Sequence, residues 1–561
     1  MNLPEFAKEP KPTLSAKARE SVILQARAIH FDLIIIGGGA TGAGIALDAA
    51  VRGLKTLLVE KADFAGGTSS KSTKLIHGGL RYLKQLEIQL VREVGKERAI
   101  VHKNAAHLVH PEELILPIIE NGSLGKYTTP VGLWMYEKLA GVKKSERFIA
   151  LTSEETIKEE ELLNPKIVKG GAIYREYRTD DARLVISLLK TAAANGAITL
   201  NYIRSTGFKY DNGIISGINV VDELNGQKIE FDASIIVNAA GPWCDEVRRQ
   251  DSEVKGKKLQ LTKGVHIVFE RNRFPIKRTV YFDAPNDGRM VFAVPRNNTV
   301  YLGTTDTLYS ENKENPRTSK EDTQYLLAAA NFMFPSLTLT EKDIISSWAG
   351  LRPLIHEEGK SPSELSRKDE VFHTDSGLIS IAGGKLTGYR KMAERTTDMV
   401  MTRLAASGLI EYKDCSTDKV KLAGAKFKSY KAVKEYRDKL IGLGRQVDLS
   451  EDDATYLVGR YGKEAGVILD LTYELHLEER DPALRLLLAE LVYVVHFESV
   501  HTLSDFMIRR SGRLYFFRPE IKAYYKKAAE MLKELLGLSD KEAKDQLEEF
   551  EIAYEEALTF D

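Results

Sequence analysis

A chain of 561 residues exceeds what one hydrophobic core usually supports, so two or three domains are expected. Its 43% apolar and 29% charged residues are those of an ordinary globular protein, and 80 Lys plus Arg against 80 Asp plus Glu leave no global field to gather nucleic acid. Two cysteines, Cys244 and Cys415, exclude a disulfide framework and an all-cysteine metal site and fit a reducing cytoplasm.

Glu5, Lys8, Glu9 and Lys11 precede any apolar run, unlike a secretory signal, and residues 1–30 read as a polar arm leading into a short helix. Phe31–Ile36 is a short apolar run that ends abruptly at Gly37, the pattern of a buried strand entering a tight turn. A helix follows over Ala40–Arg52, closed by Gly53, and Lys55–Glu60 is a second strand. The uncharged run from Leu33 to Leu47 is too short and glycine-rich to span a bilayer, which takes about 20 apolar residues.

Between Glu112 and Glu176 strands, turns and an acidic stretch alternate. Asp181–Ala194 reads as a helix with Thr179 or Asp180 as N-cap. Residues 200–238 and 258–305 alternate as antiparallel strands, and the first of these stretches runs into the apolar Ser234–Val237. Another apolar strand near Gly377–Ala382 ends in Gly383-Gly384 and a helix through Arg403. Beyond about residue 420 the signal is helical, as in Asp452–Tyr461, Pro482–Phe497 and Pro519–Leu536. The expected organisation is an arm (1–30), an α/β oxidoreductase domain (31–403) and an all-α C-terminal domain (420–561).

Gly37, Gly39 and Gly42 form a GxGxxG turn after a strand and before a helix, with Glu60 closing the next strand as acceptor for a ribose hydroxyl. The glycines permit the turn, the approach of a pyrophosphate and close helix–strand packing. This turn alone does not separate NAD from FAD. Two further junctions do: Ile235–Trp243, where Gly241 follows a strand, and Leu378–Gly388, where Gly384 and Thr387 open a helix. A helix N-terminus there could stabilise negative charge on a reduced flavin, so the pair points to a flavin held at both ends.

Several segments resemble the FAD-dependent glycerol-3-phosphate dehydrogenases of the D-amino-acid oxidase superfamily: GGGATGAGIALDAAVRG (37–53), TSSKSTKLIHGGLRYL (68–83), DDARL (180–184), VNAAGPW (237–243), KGVHIV (263–268), GTTDT (303–307), GLRPL (350–354) and GGKLTGYRKMAE (383–394). The resemblance implies an FAD-binding Rossmann-like three-layer domain interleaved with an antiparallel-sheet substrate subdomain, plus a helical C-terminal domain. It implies FAD bound without a covalent link, sn-glycerol 3-phosphate as substrate, and a membrane quinone as acceptor at the cytoplasmic face. The long insertion of the dioxygen-using relatives is not seen between GTTDT and GLRPL, which favours a dehydrogenase over an oxidase.

By the same resemblance, Arg81 and Tyr82, Arg352 and Lys385 bind the substrate, arginine being suited to phosphate by its planar fork. His266 is the expected base, with Lys385 and Arg352 beside it in the catalytic set, because a hydroxyl proton must leave as hydride leaves carbon. Thr68, Ser69, Ser70 and His77 are expected at the flavin, and Asp306 either orients a cation or forms an Asx turn. No metal chemistry is expected: the histidines show no HExxH or cysteine-paired spacing. Residues 508–518 mix basic and aromatic side chains and fit either an anionic membrane surface or the packing of two domains. Nucleic-acid binding has no supporting module; the alternatives are a glycerol-3-phosphate oxidase using dioxygen and a flavin-binding sensor without turnover, and the oligomeric state, a homodimer included, is left open.

Overall fold

The computed structural model describes residues 14–78, 88–120, 122–123, 125, 128–141, 147–285, 287–356 and 369–560. Two sheets organise the first two thirds of the chain. In the first, the apolar strands His30–Ile36, Thr56–Val59, Ile198–Leu200, Lys228–Asn238 and Ile379–Gly383 run parallel. Being covered on both faces, Leu33–Ile36, Leu57–Val59 and Ile235–Val237 read as continuous Ile, Leu and Val runs, whereas the start of Lys228–Asn238, paired with the hairpin, alternates. Ile36, Val59 and Asn238 reach the same edge in register, which sets the carboxyl ends of the strands around one crevice. The hairpin Ile203–Asp211/Ile214–Asp222 extends this sheet in antiparallel fashion.

The helix Ala40–Val51 packs against Asp181–Ala194 and Tyr389–Ala406. Its alanines are buried along almost every face, so neighbouring helices come close. Asp180 caps the Asp181–Ala194 helix by accepting from the Arg183 amide at 3.1 Å.

Among the described residues the second sheet has ten strands and is antiparallel apart from the pair Thr279–Asp283 and His110–Ile119. Its centre is Leu259–Glu270, flanked by Thr299–Gly303 and Ile344–Ile355. The two sheets interleave along the chain, giving an α/β fold with an antiparallel second subdomain and a helical C-terminal region. Three helices the sequence reading did not separate appear between residues 88 and 159: Ile88–Asn104, Thr128–Ala140 and Ser153–Glu159, the last with a Thr152–Glu155 capping box.

The helices from Tyr430 to Glu556 share a core with the second sheet, where Val268, Tyr301 and Trp348 cluster with Tyr515 and Phe516. Buried ion pairs tie them to the first sheet and its helices: Arg183 and Lys190 to Glu498, Arg460 to Asp180, and Arg509 and Arg510 to Asp63. Residues 510–518 are largely buried in this contact, with Arg513 on Glu490. Of the two readings of 508–518, domain packing is therefore the one observed. Among the described residues no helix is long and apolar enough to cross a membrane.

This contact makes stability pH-dependent. Burial holds His107 and His501 neutral, pushing both down to about 3, and His496 down to about 4. Despite its burial, Glu498 is lowered to about 2 by Arg183 and Lys190. For all four the folded value lies below the unfolded one, so their contribution is full above the unfolded pKa and is lost as pH falls through the folded one. Calorimetric melting temperature is expected to hold above pH 7 and to fall progressively from about pH 6.5 towards pH 3. A melting temperature flat from pH 7 to 4 contradicts this.

Candidate active site

A cavity of about 930 Å³ opens at the crevice between the two sheets, within the range of about 300–1,000 Å³ typical of cofactor and ligand sites. Its floor is the glycine turn. Gly37 has φ +117°, and a Cβ there would lie 2.5 Å from the Ala239 carbonyl oxygen, while a Cβ on Gly42 would lie 1.9 Å from the Gly37 oxygen. Gly37 and Gly39 line the cavity, whereas Gly42 is spent on packing the helix onto its strand.

Glu60, just past Val59, accepts from the Gly38 amide at 2.7 Å and the Ala62 amide at 3.0 Å. Burial raises its pKa in spite of those donors. Ser69 accepts from the Ala40 amide at 2.9 Å, placing a hydroxyl at the N-terminus of the Ala40–Val51 helix. Thr68 donates to the Leu351 carbonyl at 2.6 Å, joining the cofactor-side loop to the second sheet. A glycine cradle at a helix N-terminus with an acidic group at the end of the next strand fits the pyrophosphate and ribose of a dinucleotide.

At the other end, Gly241 and Gly384 sit at the two expected strand ends with φ +54° and +82°. Thr387 donates to the His77 carbonyl at 3.2 Å, and Lys385 Nζ lies 3.5 Å from His77 Nε2. Three segments far apart in sequence thus meet on this side of the cavity, which has room there for the ring end of the same group.

His266 and Arg352 project from the paired strands Leu259–Glu270 and Ile344–Ile355. The His266 ring stacks on Trp348 with centroids 4.8 Å apart, and its Nε2 is 3.0 Å from the Thr73 hydroxyl. Its Nδ1 is buried with no partner among the described residues. Burial, then Arg352 and Lys74, hold its pKa well below the usual 6.5, so the imidazole is neutral at pH 7. Arg352 donates to Asp306 at 3.1 Å, to the Thr304 hydroxyl at 2.9 Å and to the Thr305 carbonyl at 3.2 Å. Asp306 therefore orients a cation, one of the two roles open to it.

Arg81 and Tyr82 lie outside the described residues. Of the other expected site residues, Gly37, Gly39, Glu60, Thr68, Ser69, His77, Gly241, His266, Arg352, Gly384, Lys385 and Thr387 face this one cavity, whereas Gly42, Asp306 and the buried Ser70, expected at the flavin, do not line it. Some lining residues were missed. Trp348 and Thr73 hold His266, and both look like ordinary strand and loop residues in the sequence. Lys71 also lines the cavity, its ammonium pushed down to about 8 by burial and by Arg509. Ile508, Arg509 and Tyr515 form a wall supplied by the C-terminal helices.

Residues 32–390 match the family described as FAD dependent oxidoreductase, and residues 415–543 match the C-terminal domain of alpha-glycerophosphate oxidase. The chain is 45% identical over 548 residues to the aerobic glycerol-3-phosphate dehydrogenase of Staphylococcus epidermidis, covering 98% of both proteins. It is 46% identical to that of Staphylococcus aureus, covering 97% of this chain and 98% of the relative. Among solved structures it is similar to the FAD complex of glycerol-3-phosphate dehydrogenase from Bacillus halodurans, with a TM-score of 0.83, 41% identity, and coverage of 97% and 98%. The fold extends to L-alpha-glycerophosphate oxidase from Mycoplasma pneumoniae, with a TM-score of 0.54, 20% identity, and coverage of 66% and 95%. With its glycine cradle, its flavin-sized crevice and near full-length likeness to these relatives, the chain belongs to the family of FAD-dependent glycerol-3-phosphate dehydrogenases.

Proposed function

We propose that the chain oxidises sn-glycerol 3-phosphate to dihydroxyacetone phosphate with FAD and passes the electrons to a membrane quinone at the cytoplasmic face. The observation that carries this reading is the convergence of Arg352, Lys385 and His266 on one cavity that also holds the dinucleotide cradle. The names of the relatives, matched over nearly the whole chain, support the substrate.

In this reading Gly37, Gly39, Glu60, Thr68 and Ser69 hold the nucleotide part of FAD. His77, Gly241, Gly384 and Thr387 hold its ring end. FAD supplies the acceptor for the hydride equivalent that leaves C2 of the substrate. Arg352, its plane fixed by Asp306 and Thr304, and Lys385 bind the phosphate, with Arg81 and Tyr82 as further substrate residues. His266 takes the proton of the C2 hydroxyl, leaving a ketone. The portion 31–403 carries cofactor and substrate, and 420–561 walls the cavity.

The acceptor is tested by re-oxidation. The substrate-reduced enzyme is expected to be re-oxidised by a short-chain quinone analogue at least about tenfold faster than by air-saturated buffer. Faster re-oxidation by dioxygen instead assigns the oxidase activity named in the description of the matched C-terminal domain.

A further inference from the structure

The segments TSSKSTKLIH (68–77) and DDARL (180–184) meet beside the cavity. Asp181 accepts from the Ser72 amide at 2.9 Å, the Ser72 hydroxyl at 2.7 Å and the Lys74 ammonium at 2.6 Å. On the other side Thr68 is tied to the Leu351 carbonyl. The chain also passes so close to Gly350 that a Cβ there would lie 2.6 Å from the Lys71 carbonyl oxygen. Lys71 is thus held from both sides, just after the Ser69 hydroxyl that stands at the N-terminus of the Ala40–Val51 helix.

Lys71 lines the cavity, and among the described residues no hydrogen bond or ion pair reaches its ammonium. The other cations on the cavity wall are partnered. Lys61, Arg204, Arg317, Arg352 and Arg509 each face a carboxylate, and Lys385 meets His77. A charge taken out of water and left unpaired is costly. Burial and then Arg509 push the Lys71 ammonium down to about 8, and Glu556 and Glu314 only partly offset them. A cation in this state is completed by an anionic ligand.

The nucleotide end of the cavity calls for a cation. The diphosphate of FAD is a dianion at neutral pH. Gly37, Gly39 and Ser69 offer it neutral groups, and the helix N-terminus offers about half a positive charge. The acidic Glu60 sits on the same turn, bound to the Gly38 amide. Lys61 is occupied by Glu314, Arg204 by Glu223, and Arg509 by Asp63 and Asp505. We propose that Lys71 supplies the counter-charge for the FAD diphosphate, so that the loop after Thr56–Val59 holds the cofactor together with the glycine turn. Lysine suits this task as a point charge on a flexible stem, which meets a phosphate oxygen without the fixed fork of arginine. The inference rests on FAD in the cavity and not on the substrate or acceptor proposed above.

The test is dilution of the FAD-loaded enzyme, with release of the cofactor read from the fluorescence of free flavin. Lys71→Met is expected to weaken FAD binding about 10- to 100-fold, the value of one charge-assisted hydrogen bond. Lys71→Arg, which keeps the charge, should weaken it by about threefold or less. The loss should fall on FAD and not on KM for sn-glycerol 3-phosphate measured in excess FAD. FAD release from Lys71→Met that matches the wild type overturns the proposal. If KM rises while FAD release is unchanged, the lysine serves the substrate phosphate instead, and the proposal also fails. Inorganic phosphate separates a third source. If it raises the melting temperature of the FAD-loaded wild type but not of Lys71→Met, with equal FAD release, the site takes a free anion and the proposal is wrong. A Lys71→Met chain that does not fold even in excess FAD would make the lysine structural and overturns it as well. An enzyme that holds FAD but is not reduced by sn-glycerol 3-phosphate counts against the proposed reaction and leaves the FAD-release comparison intact.

Discussion

His266→Ala is expected to retain FAD and to reduce it about 10²–10⁴ times more slowly in anaerobic stopped flow, the range for loss of a positioned general base. The histidine is buried at the cavity, held edge and face by Thr73 and Trp348, and kept neutral by burial and by Arg352 and Lys74. A neutral imidazole can accept a proton, but one whose pKa lies far below 6.5 is a weak base. In the proposed reading, a phosphate dianion drawn to Arg352 and Lys385 would offset the positive field of Arg352 and shift the His266 pKa upward, against the larger effect of burial. The unpartnered Nδ1 fits a group whose hydrogen bonds are completed by a ligand. The ring is not part of the nucleotide cradle, so cofactor retention should not change. Flavin reduction at the wild-type rate would move the base to another residue.

Asp63→Asn is expected to destabilise the fold by about 3–5 kcal/mol, read as a shift in the urea midpoint, because it breaks a charge cluster whose Asp63 and Arg510 are fully buried. Asp63 accepts from Arg510 through both oxygens at 2.8 Å, from Arg509, and from Asn201 at 3.1 Å. With the carboxylate charge gone, the guanidinium groups of Arg509 and Arg510 keep Asp505, the Glu498 carbonyl and, 4.0 Å away, the Glu498 carboxylate. Asp63 stands three residues after Glu60, so the same change should loosen the nucleotide end of the site and weaken FAD retention. A midpoint unchanged within error would mean that the contact between the C-terminal helices and the first sheet is held by apolar packing alone.

Elements with a strong local pattern were legible in the sequence. The strand Phe31–Ile36 with its glycine turn, the helix Asp181–Ala194 with Asp180 as cap, and the helix Pro482–Phe497 stand where periodicity and punctuation put them. The helix Thr128–Ala140 was not legible, because its apolar residues lie on two faces and give no single stripe. Within the site, glycine turns announce themselves by what only glycine tolerates, and the resemblance brought His266, Arg352 and Lys385 into view. What holds those residues was not legible: Trp348 and Thr73 are ordinary strand and loop residues until the fold brings them to the His266 ring. The C-terminal wall was hidden for a different reason. Arg509 and Arg510 look like a surface-seeking basic pair, and only the distant Asp63 makes them an interior one.

The most direct test of the account is an anaerobic absorbance titration of the purified protein with sn-glycerol 3-phosphate. The account predicts a yellow protein whose flavin band bleaches stoichiometrically with substrate, and less readily with glycerol, which lacks the phosphate for Arg352 and Lys385. A flavin that stays oxidised in excess sn-glycerol 3-phosphate, while still reducible by dithionite, would contradict it.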